Sequence, residues 1–69
     1  MNINSAIMEG AKTLKNNFIS TAYLDSEILM AKAINKNRDY IILNPKKILC
    51  KNDLNNFKKL IKARSFREP

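Results

Sequence analysis

A chain of 69 residues with 45% hydrophobic content supports one small domain with a modest core, since chains of this size bury only about 60% of their unfolded surface. A single cysteine and no histidine exclude an internal disulfide, the common zinc-ligand patterns and any nucleophile driven by a histidine base. The net charge of +7 is uneven: residues 1–45 hold five Lys/Arg against four Asp/Glu, a balance of +1, and residues 46–69 hold eight against two, a balance of +6.

One Gly and two Pro leave few chain breakers, which favours helices joined by short turns over strands. The first helix is expected from Ile3 to about Asn16. Ile3, Ala6, Ile7, Gly10, Ala11 and Leu14 recur at helical spacing, with Phe18 just beyond, and Asn2 or Asn4 is placed to cap the start. Gly10 lies on the apolar stripe at a cost of about 1 kcal/mol relative to Ala, so a close approach by a neighbouring helix is its expected reason. Residues 17–20 form a turn, and Thr21 is the expected cap of the second helix.

Residues 22–35 form the segment against which the rest is expected to pack. Leu24, Ile28, Leu29, Ala31 and Ile34 keep spacings of three and four residues, and Ala22, Met30 and Ala33 widen the stripe. Asp25, Ser26 and Glu27 stand in the first turn and Lys32 and Lys36 toward the last, an order that complements the helix dipole. So broad an apolar face needs neighbours on more than one side. Asn35 tolerates the left-handed conformation that closes a helix.

Asn37 can cap a short third helix, Arg38 to Leu43, with Tyr40, Ile41 and Leu43 as its apolar contacts. Asn44-Pro45 ends it, because Pro disfavours helical geometry in the residue before it. Residues 46–51 form a connector in which Ile48 and Leu49 are expected to reach the core. The fourth helix starts between Cys50 and Asp53, with Asn52 or Asp53 the better cap by chemistry, and runs to about Phe66. Leu54, Phe57, Leu60, Ile61 and Arg64 share its inner spacing, and Lys58, Lys59 and Lys62 take the outer face.

The expected fold is therefore all-α: a small bundle of four short helices, or five if residues 46–51 add a turn. Its expected core is Ile7, Leu14, Leu24, Ile28, Ala31, Phe57, Leu60 and Ile61. On that reading Ile28→Ala would cost roughly 2–5 kcal/mol. Arg64 interrupts the apolar stripe, and its expected partner is Asp25 or Glu27, onto which the guanidinium would fork while its stem packs; a solvent-facing Arg64 is the competing reading.

Catalytic equipment is sparse. A lone Gly excludes a glycine-rich loop for a phosphate or nucleotide, and the six Asp/Glu are scattered. Cys50 has lysines nearby in sequence, a setting that suits a reactive thiol, but a capping or packing role suits it better. Phe18, Tyr23, Tyr40, Phe57 and Phe66 fall largely on core stripes and do not interleave with the basic residues as a base-stacking platform would. No apolar run approaches the ~20 residues of a membrane span, and the N-terminus lacks the basic region and apolar core of a secretory signal, so a reducing, cytoplasmic setting without membrane contact is expected. By these residues alone the chain is a helical binding domain without catalytic, cofactor or metal residues of its own.

The order of residues adds a resemblance. Thr21-x-x-Leu24-Asp25-Ser26-Glu27-Ile28-Leu29-Met30-Ala31, followed by Asn35-Lys36-Asn37-Arg38, resembles the amino-terminal domain of the release factor glutamine methyltransferases, the HemK/PrmC family, which reads S-P-x-x-D-A-E-(L/I)-L-L-A and then G-x-(S/T)-R. Phe57, Leu60, Ile61 and Arg64 match the family's F-x-x-L-(V/I)-x-R-R, and Glu68-Pro69 matches the E-P that opens the connection to the catalytic domain. The match runs through essentially the whole chain without gaps. Asn35 stands where Gly is usual, Cys50 where a Ser or Thr cap is usual, Ala63 for the first Arg and Arg67 for the Gly before E-P.

The resemblance implies a helical recognition domain over residues 1–66 and the start of a linker at 67–69. It implies a parent enzyme that methylates the glutamine of a Gly-Gly-Gln loop in peptide chain release factors during translation termination. The S-adenosylmethionine and the Asn-Pro-Pro-Tyr motif would belong to a separate C-terminal catalytic domain. The implied partners are then a release factor and that catalytic domain. Lys58, Lys59, Lys62, Arg64 and Arg67 are the candidate partner-binding residues, chosen for the basic balance of the second half. The competing reading is a stand-alone basic module that binds RNA or DNA through the same residues, although no recognition-helix motif is evident. Part of the lysine content could also be simple solubilisation, since Lys, Asn and Ile are all abundant, as in AT-rich coding sequence.

Overall fold

The first amides of a helix have no partner within it, and in three of the four helices here a side chain accepts from one of them. The computed structural model describes residues 1–66, which form α1 (Ile3–Asn16), α2 (Ala22–Ile34), α3 (Arg38–Leu43) and α4 (Lys51–Ser65). Asn2 Oδ1 accepts from the Ser5 amide at 2.7 Å and Asn37 Oδ1 from the Tyr40 amide at 2.9 Å. At α4 the cap is Cys50, whose Sγ accepts from the Asp53 amide at 3.4 Å. Asn52 and Asp53, the better acceptors by chemistry, lie already inside the helix. Thr21 occupies the cap position of α2 without a capping bond; its hydroxyl donates instead to Asp25 Oδ2 at 2.9 Å. Asn35 closes α2 in the left-handed region, at φ 58° and ψ 45°, as short polar side chains there allow.

The segment after α3 forms no fifth helix. It runs back along the start of α1, where Asn2 and Ile48 make an isolated antiparallel bridge. The Ile3 and Asn4 amides donate to the Lys47 and Pro45 carbonyls, each at 2.9 Å, and the Leu49 amide donates to the Met1 carbonyl at 3.0 Å. Amides that α1 cannot satisfy itself are thus satisfied by the connector. Because neighbouring residues of extended chain face opposite ways, Leu49 is buried while Ile48 points outward, 68% exposed.

Helix α2 packs against each of the other three helices, and α1 also packs against α4. The core collects Ile3, Ala6, Ile7 and Leu14 from α1, Ile19 from the turn, Ala22, Met30 and Ala31 from α2, Ile41 from α3, Leu49, and Phe57 and Ile61 from α4. Ser26 is the buried polar residue among them, and its hydroxyl donates to the Ile7 carbonyl at 2.7 Å.

Several expected core residues lie elsewhere. Leu24 and Ile28 are 43% and 46% exposed, because the inward face of α2 is centred on Ala22, Ser26 and Met30. Leu60 is only half-buried. Leu43 is exposed at the end of α3, which leaves Ile41 as that helix's buried residue. Phe18 is 86% exposed and has a left-handed backbone, at φ 64°; that reversal turns Ile19 into the core in its place. Tyr23 and Phe66 are exposed as well, so of the five aromatic residues Phe57 is buried and Tyr40 half-buried, with Lys36 Nζ 5.3 Å from the Tyr40 ring centroid.

Candidate functional site

Helix α4 turns Phe57 and Ile61 into the core, with Leu54, Leu60 and Arg64 half-buried beside them. The periodicity that buries these residues places Lys58, Lys59 and Lys62 outside, and all three are exposed. Lys58 and Lys62 stand one helical turn apart on one edge, while Lys59 lies about 100° further round the helix than Lys58.

The edge carrying Lys58 and Lys62 borders a groove between α1 and α4 of about 220 Å³. Its floor is Ala6, Gly10, Leu54, Phe57 and Ile61. Lys58 and Lys62 line the α4 side, Glu9 and Thr13 line the α1 side, and Met1 stands among the lining residues. Lys59 is not part of the lining. The Thr13 hydroxyl donates to the Glu9 carbonyl at 3.3 Å.

Gly10 makes this geometry possible. A Cβ on it would lie 2.7 Å from Phe57 Cζ, 2.7 Å from Ser26 Oγ and 2.9 Å from Ile61 Cδ1, all inside van der Waals contact. α1, α2 and α4 therefore meet at a point where even a methyl group would force the facing side chains to shift. The close approach expected of Gly10 is found, and it involves two neighbouring helices at once.

Arg64 belongs to another part of the surface. Its Nη2 donates to Asp25 Oδ2 at 3.1 Å, with the two side chains 39% and 19% exposed, which is the expected tie between α4 and the start of α2. Glu27, the other candidate partner, accepts instead from Arg38 at 3.1 Å. Arg67, and the boundary placed at residues 67–69, lie outside the described residues. Of the candidate binding residues, the fold thus brings Lys58 and Lys62 together, leaves Lys59 on an adjoining face and turns Arg64 toward Asp25.

The sequence reading missed Glu9, Thr13 and the groove itself. The available signal was the pair of small residues Ala6 and Gly10 on one side of the α1 stripe, since small side chains leave a depression where a larger neighbour spans them. Among the described residues no three His, Cys, Asp or Glu side chains group as a metal site would need, and no helix is long and apolar enough to cross a membrane.

A family model described as the PrmC N-terminal domain matches residues 5–69. No curated protein and no solved structure gives a match.

Proposed function

The chain belongs to the PrmC N-terminal domain family, and from that premise we propose that it is the substrate-docking domain of a cytoplasmic enzyme that methylates a glutamine of peptide chain release factors. The carrying observation is the family match across residues 5–69. The exposed lysines of α4 support the docking role: a domain with Lys58, Lys59 and Lys62 turned to solvent attracts acidic patches on a partner, and such charges steer association more than they add affinity.

In this reading S-adenosylmethionine is bound by a C-terminal catalytic domain of the same protein. The residues present here do not fit it. The one glycine is sealed into the helix crossing by Phe57, Ser26 and Ile61, so it offers no open backbone to a nucleotide-like group.

The test is kinetic. Reversing Lys58, Lys59 and Lys62 to Glu in the complete enzyme is expected to raise KM for the release factor severalfold and to leave kcat largely intact, the signature of a lost contact away from the chemistry. The effect should shrink as salt is raised, because exposed charges are screened within about 8–10 Å at physiological ionic strength. Unchanged kinetics would remove the docking role from this face. The +6 balance of residues 46–69 favours one rival, RNA or DNA binding, which predicts retention of nucleic acid by the isolated domain with a steep salt slope. Absence of retention at low salt would dispose of it.

A further inference from the structure

We propose that the groove between α1 and α4 takes one apolar side chain from the surface of the release factor, oriented by a carboxylate that follows it on the α4 side. This rests on the docking reading and assigns it a place and a chemistry. The volume of about 220 Å³ exceeds the ~150 Å³ of a cavity that accepts a benzene ring, so a Leu, Met or Phe side chain fits. The floor offers only Ala6, Gly10, Leu54, Phe57 and Ile61, which gives a polar group nothing to bond with and an apolar one a surface to bury.

The two sides of the groove differ in sign. Lys58 and Lys62 form the α4 side and Glu9 lies on the α1 side. None of the three side chains has an ion-pair or hydrogen-bond partner among the described residues. No ion pair joins Glu9 to either lysine among the described residues, so both sides remain available to a partner. A carboxylate beside the apolar anchor is drawn toward α4 and repelled from Glu9, which fixes the direction in which the segment lies. An amphipathic helix with one apolar anchor and an acidic flank presents this combination. The anchor supplies most of the affinity, as buried central contacts do, and the lysines supply rate and orientation.

The experiment is a titration of this chain, labelled with nitrogen-15, with purified release factor, followed by amide chemical shifts. Shifts are expected at Gly10, Thr13, Phe57, Lys58 and Lys62. Thr13→Trp, which fills the groove from an exposed position, should weaken binding about tenfold or more, the loss expected for a buried anchor. Lys58→Glu with Lys62→Glu should weaken it severalfold, more at low salt than at high, while Lys59→Glu, outside the groove lining, should weaken it less than that pair does. All four substituted positions are exposed, and a circular dichroism melt confirms that each variant folds. Binding that persists in Thr13→Trp, or shifts confined to another face, would overturn the groove and leave the docking reading standing. An unmodified chain that shows no shift with the release factor near millimolar concentration would overturn both.

Discussion

Two faces of the same helix, α2, invert the usual relation between hydrophobicity and burial. On one face Ala22 and Ser26 are 7% and 0% exposed; on the other the larger and more apolar Leu24 and Ile28 are 43% and 46% exposed. On the inner face Gly10 of α1 meets Ser26 of α2 and Phe57 and Ile61 of α4 at once, so closely that a Cβ on it would lie within 2.7–2.9 Å of all three, and a small side chain suits that crossing. A serine can occupy that place because its hydroxyl reaches the Ile7 carbonyl, and a buried polar group with a partner carries little penalty. One turn further along the same face, Met30 is fully buried. What a helix buries is therefore decided by the shape of its neighbours as much as by its own residues.

The largest test of this contrast compares one substitution on each face. Met30→Ala removes a fully buried side chain and should cost about 2–5 kcal/mol, against a total stability of about 5 kcal/mol for a domain of this size. Ile28→Ala should cost less than about 1 kcal/mol, because nearly half of that residue is already in water,. Denaturant melts of the two variants measure the difference, and equal losses would mean that the two faces of α2 are equally packed. The sequence reading alone places a loss of roughly 2–5 kcal/mol at Ile28.

A smaller effect probes the crossing itself. Gly10→Ala gains about 1 kcal/mol of helix propensity but forces a methyl group against Phe57, Ser26 and Ile61, an overpacking that typically costs about 1–3 kcal/mol. Net destabilisation of about 1–2 kcal/mol is expected from the same melts. A gain in stability would show that the three helices have room to part and that Ser26 is not confined by them.

The smallest effect lies at the edge between the faces. The Arg64–Asp25 pair ties α4 to α2, but with Arg64 39% exposed its coupling should not exceed about 1 kcal/mol. A double-mutant cycle of Arg64→Met and Asp25→Asn measures it, and the coupling should fall as salt is added. No coupling at low salt would mean that the contact merely follows from the packing around it.

Much of the fold was legible because it is local. Helix periods, the Asn2 and Asn37 caps, the left-handed Asn35 and the stop at Asn44-Pro45 each depend on a few adjacent residues. Those residues form the same hydrogen bonds whatever lies across the bundle. Cys50 is instructive in this respect. Chemistry favoured Asn52 or Asp53, yet the cap falls where the family pattern places it, because the connector paired with α1 sets where the chain turns. The lysines of the candidate site were legible in the same local way, as the outward positions of α4.

The sequence by itself determined an all-α bundle of four helices with or without a fifth turn, their approximate limits, the central position of α2 and the exposure of Lys58 and Lys62. Only the tertiary structure decided which side of α2 faces inward, that Ser26 is core, that residues 45–49 close the start of α1, and that the α4 lysines border an apolar groove. The reason is that a helical period specifies a stripe about 100° wide, and the apolar residues of α2 extend well beyond that. Which part of the stripe is buried then depends on how near the neighbouring backbones come. Here that distance is set by Gly10, on a different helix and at the other side of a turn.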